Sequence, residues 1–272
     1  MTAAFAKQMG IPIQYQRVFV EEAVGRSDDM YFFIGHVNLT LGSRSAIDVS
    51  FGPSASKAMT IDFIPPEERR KMRSRPISEQ TIVAMYMNNR AAEALARGDV
   101  NDAYWWARTA IGQDPGFMSS YNTLGIVYQR HGNLKEAERV LTYALEREPN
   151  NTHVMSNMVG VLNGMGRVAE SAVLARKLEQ IEPNPPFRFF NQGVKAMHEG
   201  DYKAARDLFG KEVDRAPYYH EFHFWLALAY VGLGEMENAR KELTIALEYS
   251  TTRKEHDLYA AKLDRMKSNH LQ

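Results

Sequence analysis

The sequence has no cysteine, no long apolar segment and no excess of either charge. Because none of its 272 residues is Cys, disulfides, thiolate metal sites and a thiol nucleophile are excluded within this chain. No apolar run approaches the roughly 18 residues that a membrane-spanning helix needs. Thirty-three basic residues balance 33 acidic ones, so no overall field draws the chain to nucleic acid or to a membrane surface. We expect neither as a partner.

The N-terminus also lacks a signal peptide, since Met1 is not followed by a basic stretch and an apolar segment. The compartment stays open: cytoplasm is the default, and periplasm is the alternative if an upstream signal exists. Residues 2–9 have the character of a helix already under way that stops at Gly10. We therefore expect the natural protein to extend upstream of Met1.

A 34-residue period dominates the rest of the chain, and prolines, glycines and small residues all follow it. A period of this length predicts stacked helix hairpins, in which each unit buries its apolar face against the next. The prolines are Pro115, Pro149, Pro183 and Pro217. The turn glycines are Gly98, Gly132, Gly166, Gly200 and Gly234. The small residues of the second helices are Ala103, Ala137, Ser171, Ala205 and Ala239.

The second unit shows the fullest pattern: Tyr121, Leu124, Gly125, Tyr128, Gly132, Ala137, Leu141, Ala144 and Pro149. These columns resemble the tetratricopeptide repeat over residues 79–251. The resemblance implies a mainly α fold, an α-solenoid of about five hairpins that ends in a capping helix and tail at 252–272. The predicted hairpins are 84–117, 118–151, 152–185, 186–219 and 220–251.

Residues 1–75 have a different composition, with strand-like runs at 11–22, 31–42 and 58–63 after the first helix. A charged connector at 64–79 leads to the repeats. This order of helix and strands resembles part of a transglutaminase-like α+β fold. The resemblance implies that His36 is the base and Asp62 the acid of a thiol-dependent site, with Asp48 as the alternative acid. The cysteine of that family would fall just before Met1.

The alternative for His36 is an ordinary half-buried strand histidine that hydrogen-bonds to the backbone. Alternation along its strand predicts one face with His36, Asn38 and Thr40. We expect the opposite face, with Val37, Leu39 and Leu41, to pack on an apolar core. A carboxylate beside the imidazole favours the first reading, and its absence favours the second.

Ligand binding is expected along the first helices of the repeats, which line the concave face in tetratricopeptide proteins. Amide groups can pair with an extended peptide, and aromatic rings can receive its apolar side chains. The alternative is a set of ordinary polar groups that bond to water and to one another. The predicted ligand-binding residues are Asn88, Asn122, Ser156, Asn157, Phe190, Asn191 and Phe224.

We predict no cofactor, because no glycine loop of the GxxxxGK type is present. His220 and His223, three residues apart on a predicted helix, have metal-ligand spacing, but their aromatic neighbours favour packing and we predict no metal site. Two functions remain. The first is a non-enzymatic scaffold that binds a peptide or partner protein, with unknown oligomeric state. The second is a portion of a transglutaminase-like or thiol-peptidase enzyme whose cysteine lies upstream of Met1.

Overall fold

A computed structural model describes residues 2–19, 24–27, 30–33, 36–42, 59–62 and 73–268. The chain divides into two compact units, Met1–Pro183 and Asn184–Gln272. Twelve helices lie in the described residues, together with a small sheet near the N-terminus. The predicted mainly α fold with a short α+β segment is therefore confirmed. No helix in these ranges combines the length and apolarity that crossing a bilayer demands.

The first unit begins with helix α1 (Thr2–Gln8) and an antiparallel sheet. Strand order in the four-stranded sheet is β5-β4-β1-β6, and β2 pairs with β3 in a separate ribbon. The strands are β1 (Ile13–Phe19), β2 (Val24–Ser27), β3 (Met30–Phe33), β4 (His36–Leu41), β5 (Met59–Ile61) and β6 (Arg73–Ile77). Strand β6 lies where the sequence predicted only a charged connector. It contains Pro76, which is tolerated because β6 is an edge strand and needs no second ladder.

Three helix hairpins complete the first unit. They consist of α2 (Glu79–Ala96) with α3 (Val100–Gln113), α4 (Met118–Arg130) with α5 (Leu134–Arg147), and α6 (Thr152–Gly164) with α7 (Val168–Ile181). The turn glycines Gly98, Gly132 and Gly166 have φ of 81°, 77° and 75°, a left-handed conformation that glycine adopts without steric cost. Ala103 and Ala137 are fully buried, as expected where paired helices approach closely.

The second unit contains two further hairpins and a last helix. These are α8 (Arg188–His198) with α9 (Tyr202–Arg215), α10 (His220–Gly232) with α11 (Met236–Glu248), and α12 (Arg253–Ser268). Tyr259 and Leu263 of α12 are buried in one cluster with Ala227, Leu243 and Ala246. Helix α12 thus caps the fifth hairpin by covering its apolar face, as predicted.

Candidate functional site

His36 and Asp62 meet at the edge of the sheet. Strands β4 and β5 pair Leu39 with Ile61 and Thr40 with Thr60, so Asp62, directly after β5, lies beside the start of β4. Nε2 of His36 is 2.5 Å from Oδ1 of Asp62. The other carboxylate oxygen, Oδ2, accepts a hydrogen bond of 2.9 Å from Nδ2 of Asn38. The expected carboxylate beside His36 is present, and Asp48, the alternative, lies outside the described residues.

The two faces of β4 are not buried as expected. Asn38 and Thr40 are 4% and 2% exposed, whereas Val37, Leu39 and Leu41 are only half-buried. The polar face can be buried because β5 supplies partners: Asp62 accepts from Asn38, and the Thr40 and Thr60 hydroxyls lie 3.2 Å apart. The polar face of β4 is therefore more deeply buried than the apolar face, which is the opposite of the prediction.

This cluster holds an oriented imidazole but no thiol. The Asp62 side chain is 1% exposed, while the His36 side chain is 20% exposed, so solvent reaches the ring and not the carboxylate. A buried acid that bonds one ring nitrogen fixes the tautomer and orientation of an imidazole. Base catalysis of this type needs a nucleophile to activate, and the chain supplies no cysteine. No group of three or more metal-ligating side chains occurs among the described residues.

The polar row, defined here as Asn88, Asn122, Ser156 and Asn157, follows the first helices of the first unit. Helix α2 contacts α4, and α4 contacts α6, so these side chains lie on the first helices of three successive hairpins. Nδ2 of Asn157 donates to Oδ1 of Asn122 at 2.8 Å. Oδ1 of Asn88 is buried and accepts no hydrogen bond from the described residues. Ser156 is exposed. The structure thus brings together Asn122 of α4 and Asn157 of α6, the first helices of two successive hairpins.

The aromatic positions of the second unit are placed differently. Phe190 is 1% exposed, and its ring centroid lies 5.6 to 5.9 Å from four other rings. These belong to Phe187, Phe209, Phe222 and Trp225. Phe190 is thus a core residue in this structure, although its place in the repeat predicts a ligand-binding position.

Phe224 is also engaged, because it stacks on Tyr259 of the capping helix with ring centroids 4.8 Å apart. Asn191, the remaining predicted ligand-binding residue of this unit, is exposed. Of the three predicted positions here, only Asn191 therefore presents its side chain openly to solvent.

His220 and His223 are held by hydrogen bonds on separate sides. Nδ1 of His220 lies 2.9 Å from the Tyr259 hydroxyl. Nδ1 of His223 lies 2.7 Å from a Glu242 carboxylate oxygen, and its Nε2 lies 2.9 Å from the Pro217 carbonyl. Both nitrogens of His223 are thus engaged by protein acceptors, and this histidine fixes the start of α10 against α11.

Sequence reasoning missed a cluster that includes Arg17, Arg75 and His153. These residues line a cavity of about 270 Å³ in the first unit. The sequence did contain a signal, since Arg17 falls on the strand face that otherwise holds Ile13, Tyr15 and Phe19. Arg75 lies in the segment 64–79, which the sequence indicates is a charged connector, and its pairing with Arg17 joins residues too far apart in sequence to be predicted.

Comparison with known protein families identifies the last two hairpins. Residues 190–250 match the tetratricopeptide repeat family model. Residues 190–250 carry tetratricopeptide repeats. The match covers the two hairpins of the second unit, whose turn glycines and buried small residues keep the same 34-residue step as those of the first. No curated protein matches the sequence.

Three solved structures are among those to which this chain is similar. PilF of Pseudomonas aeruginosa is 19% identical over 70% of this chain and 94% of its own, with a TM-score of 0.40. TTC0263 of Thermus thermophilus, described as a thermophilic TPR protein, is 15% identical over 66% of this chain and 98% of its own, with a TM-score of 0.42. YrrB, described as a TPR protein with an unusual peptide-binding site, is 19% identical over 66% of this chain and 92% of its own, with a TM-score of 0.35.

Proposed function

We propose that this chain is a non-enzymatic scaffold that binds an extended segment of a partner protein along the polar row. The observation that carries the proposal is the placement of amides on three successive inner helices, with Asn122 and Asn157 bonded across two of them at 2.8 Å. Tetratricopeptide hairpins can present such a binding surface without any catalytic residue. The repeats supply the surface, and residues 1–75 form a companion domain beside it.

The arrangement suits a peptide backbone for a chemical reason. An asparagine amide carries both donors and an acceptor, and the bond between Asn157 and Asn122 uses one donor of the first and the acceptor of the second. Nδ2 of Asn122 and Oδ1 of Asn157 are left to pair with a peptide C=O and N–H. Oδ1 of Asn88 is buried without a hydrogen bond from the described residues, so Asn122 and Asn157 carry the proposed contact with the peptide. An extended peptide presents N–H and C=O groups in alternation, so it offers partners to both the amide donor and the amide acceptor.

The test is selection of binding peptides from a random displayed library, followed by affinity measurement on matched variants. We expect Asn122→Ala combined with Asn157→Ala to weaken binding by about tenfold, as loss of two hydrogen bonds implies. Circular dichroism should show unchanged helicity. Gln180→Ala is the control, since it removes an exposed amide from α7, a second helix. Equal weakening by both variants, or none by the double variant, contradicts the proposal.

A second function is favoured by the 2.5 Å contact between His36 and the buried Asp62. It is the acid–base part of a transglutaminase-like or thiol-peptidase enzyme whose cysteine lies upstream of Met1. Under the scaffold proposal, this chain hydrolyses an aryl thioester no faster than its His36→Ala variant. Turnover that depends on His36 would support the enzyme instead.

A further inference from the structure

The first hairpin of the repeat array leaves one side of α2 open to solvent, and we call this side the end face. Its residues are Ile82, Tyr86, Arg90, Glu93 and Arg97. Steps of three or four residues place them along one side of a helix. Helix α2 packs against α3 of its own hairpin and against α4 of the next. Because Tyr86 is nevertheless 60% exposed, neither helix covers the middle of the end face.

The equivalent side of α4 is a packing surface for the preceding hairpin. The positions 34 residues after Tyr86, Arg90 and Glu93 are 0%, 7% and 0% exposed, and they are Ser120, Leu124 and Val127. Two of these residues share an apolar cluster with Ala103 and Ala107 of α3. The end face thus has the position of a helix-packing surface in the repeat, and no helix of the described part of the chain occupies it.

Aromatic rings and an arginine meet on the end face. The ring of Tyr86 meets that of Trp106, on α3, edge to face with centroids 6.4 Å apart. The guanidinium carbon of Arg90 lies 5.8 Å from the centroid of the Trp106 ring. Tyrosine, tryptophan and arginine are the residue types that contribute most to binding at protein interfaces. The end face therefore carries the side chains that association with another protein uses.

The charges of the end face alternate in sign. Arg90 forms an ion pair with Glu93 of its own chain, and Nε of Arg97 lies 3.1 Å from Oδ2 of Asp99. Such exposed ion pairs add little to the stability of a single chain. An antiparallel copy of the same helix presents Glu93 where this one presents Arg90, so opposite charges meet. A parallel copy brings like charges together, which disfavours that orientation.

We propose that the end face joins two copies of this chain in a symmetric dimer. The two α2 helices run antiparallel about a two-fold axis that passes directly after Ala91. Such an interface is self-complementary, because each copy contributes the same surface. Arg90 of each copy then lies opposite Glu93 of the other. Tyr86 lies opposite Arg97, which gives each ring a cation–π contact.

The size of the end face sets the expected strength of the dimer. Helix α2 has 18 residues, and one side of it buries less than the roughly 800 Å² per partner of a standard interface. We therefore expect a dissociation constant of about 1–100 µM. Asn88, the residue of α2 that belongs to the polar row, lies outside the end face. Dimerisation is thus independent of peptide binding along that row.

Sedimentation velocity of the full chain tests the proposal over about 1–200 µM. The mass should rise with concentration from the 31.0 kDa of one chain toward twice that value. Arg90→Glu and Glu93→Arg should each weaken self-association by at least about tenfold, because like charges then meet. An equimolar mixture of the two variants should dimerise, since opposite charges face each other again. Arg139→Glu, which changes an exposed arginine of the second hairpin, is the matched control and should dimerise like the native chain.

The aromatic contribution is measured with Tyr86→Ala, which should weaken the dimer by about tenfold. Circular dichroism should show unchanged helicity, because the ring is largely exposed. A chain that stays monomeric at the highest concentration shows that the end face is only a polar cap of the array, and overturns the proposal. Equal effects of Arg90→Glu and Arg139→Glu on the dimer overturn its assignment to this face. If the two folded charge variants do not dimerise when mixed, the antiparallel arrangement is wrong.

Discussion

The two units use the same hairpin but place different side chains at equivalent positions of their first helices. In the first unit these positions hold Asn88, Asn122 and Ser156, and Asn122 accepts a hydrogen bond from Asn157, the residue after Ser156. In the second unit the equivalent Phe190 is buried in an aromatic cluster, and Phe224 lies under the capping helix. The comparison teaches that a shared repeat register fixes the helices and does not fix which residues remain available to a partner.

The start of α8 also distinguishes the second unit from the first. Helices α4 and α6 begin at Met118 and Thr152, close to the first position of their 34-residue units, whereas α8 begins at Arg188, two residues late. Pro185 and Pro186 precede it, and Phe187 has φ of 63°, a left-handed conformation that is rare for a bulky residue. Phe190 therefore falls in the first turn of α8, and its ring contacts those of Phe209 on α9 and Phe222 on α10.

The largest effect should come from Phe190→Ala. Because its ring is fully buried among four others, its removal should cost about 3–5 kcal/mol of unfolding free energy. Asn122→Ala, at the equivalent position of the first unit, should cost far less, since Asn122 is only half-buried and makes one side-chain hydrogen bond. Urea denaturation of both variants measures the contrast. Similar losses would show that the two first helices do not differ in the way proposed.

The second prediction concerns how the late start of α8 is stabilised. Phe187 offers no side-chain cap, and Oε1 of Glu212, on α9, accepts hydrogen bonds from the N–H groups of Phe189 and Phe190 at 2.9 and 3.1 Å. Glu212 is 2% exposed, so one buried and one half-buried N–H donor lose their acceptor in Glu212→Ala. We expect a loss of about 2–4 kcal/mol in urea denaturation.

The matched variant in the first unit is Asn151→Ala. Oδ1 of Asn151 caps α6 by accepting from the Val154 N–H at 3.1 Å, and removal of an ordinary cap costs about 1 kcal/mol. A smaller loss for Glu212→Ala than for Asn151→Ala would show that the buried carboxylate does not hold the start of α8.

The repeat could be predicted from sequence because its signals are local. A glycine with φ near 75–81° follows each first helix. Glycine adopts this conformation because it has no side chain, so no distant contact is needed. These residues are Gly98, Gly132, Gly166, Gly200 and Gly234. The His36–Asp62 pair was predicted through family resemblance. The burial of Phe190, strand β6 and the Arg17–Arg75 pair were not, because each depends on contacts between residues distant in sequence.

The third prediction concerns complementary sizes between the paired helices of each hairpin. A Cβ added at Gly125 would lie 2.5 Å from a methyl carbon of Leu141, and one added at Gly193 would lie 2.6 Å from the Phe209 ring. Gly125→Ala and Gly193→Ala should therefore each cost about 1–3 kcal/mol through overpacking. The cost should be larger at Gly193, because an aromatic ring yields less easily than the end of a leucine.

A double-mutant cycle sharpens this comparison. Leu141→Ala creates a cavity, and adding Gly125→Ala to this variant should recover part of the lost stability. The two changes would then be non-additive, as expected for residues in contact. The first hairpin already has this combination, with Ala91 and Ala107 both buried at the equivalent positions. Strict additivity of the two changes would show that Gly125 and Leu141 do not pack as described.

The smallest effect is a pH dependence of opposite sign in the two units. Burial favours a lower pKa for His223, but hydrogen bonds to the Glu242 carboxylate and the Pro217 carbonyl outweigh it, and the pKa is raised. Its stabilisation is complete below the unfolded pKa of about 6.5 and is lost as pH rises through the folded pKa. His153 has a lowered pKa, chiefly through burial, so its unfolded state binds the proton first. Acidification from about 6.5 toward the folded pKa therefore weakens the first unit.

Urea unfolding across about pH 5.5–7.5, with His223→Gln and His153→Gln beside the native chain, separates the two contributions. The difference in unfolding free energy between the native chain and His223→Gln should shrink as pH rises, because the native imidazolium loses its advantage over a neutral side chain. The difference for His153→Gln should instead grow as pH rises through the interval just below about 6.5. Amide hydrogen exchange in α6 and α10 assigns each trend to its unit. If both differences change in the same direction with pH, the two histidines do not occupy the opposed environments described, and this part of the contrast between the units fails.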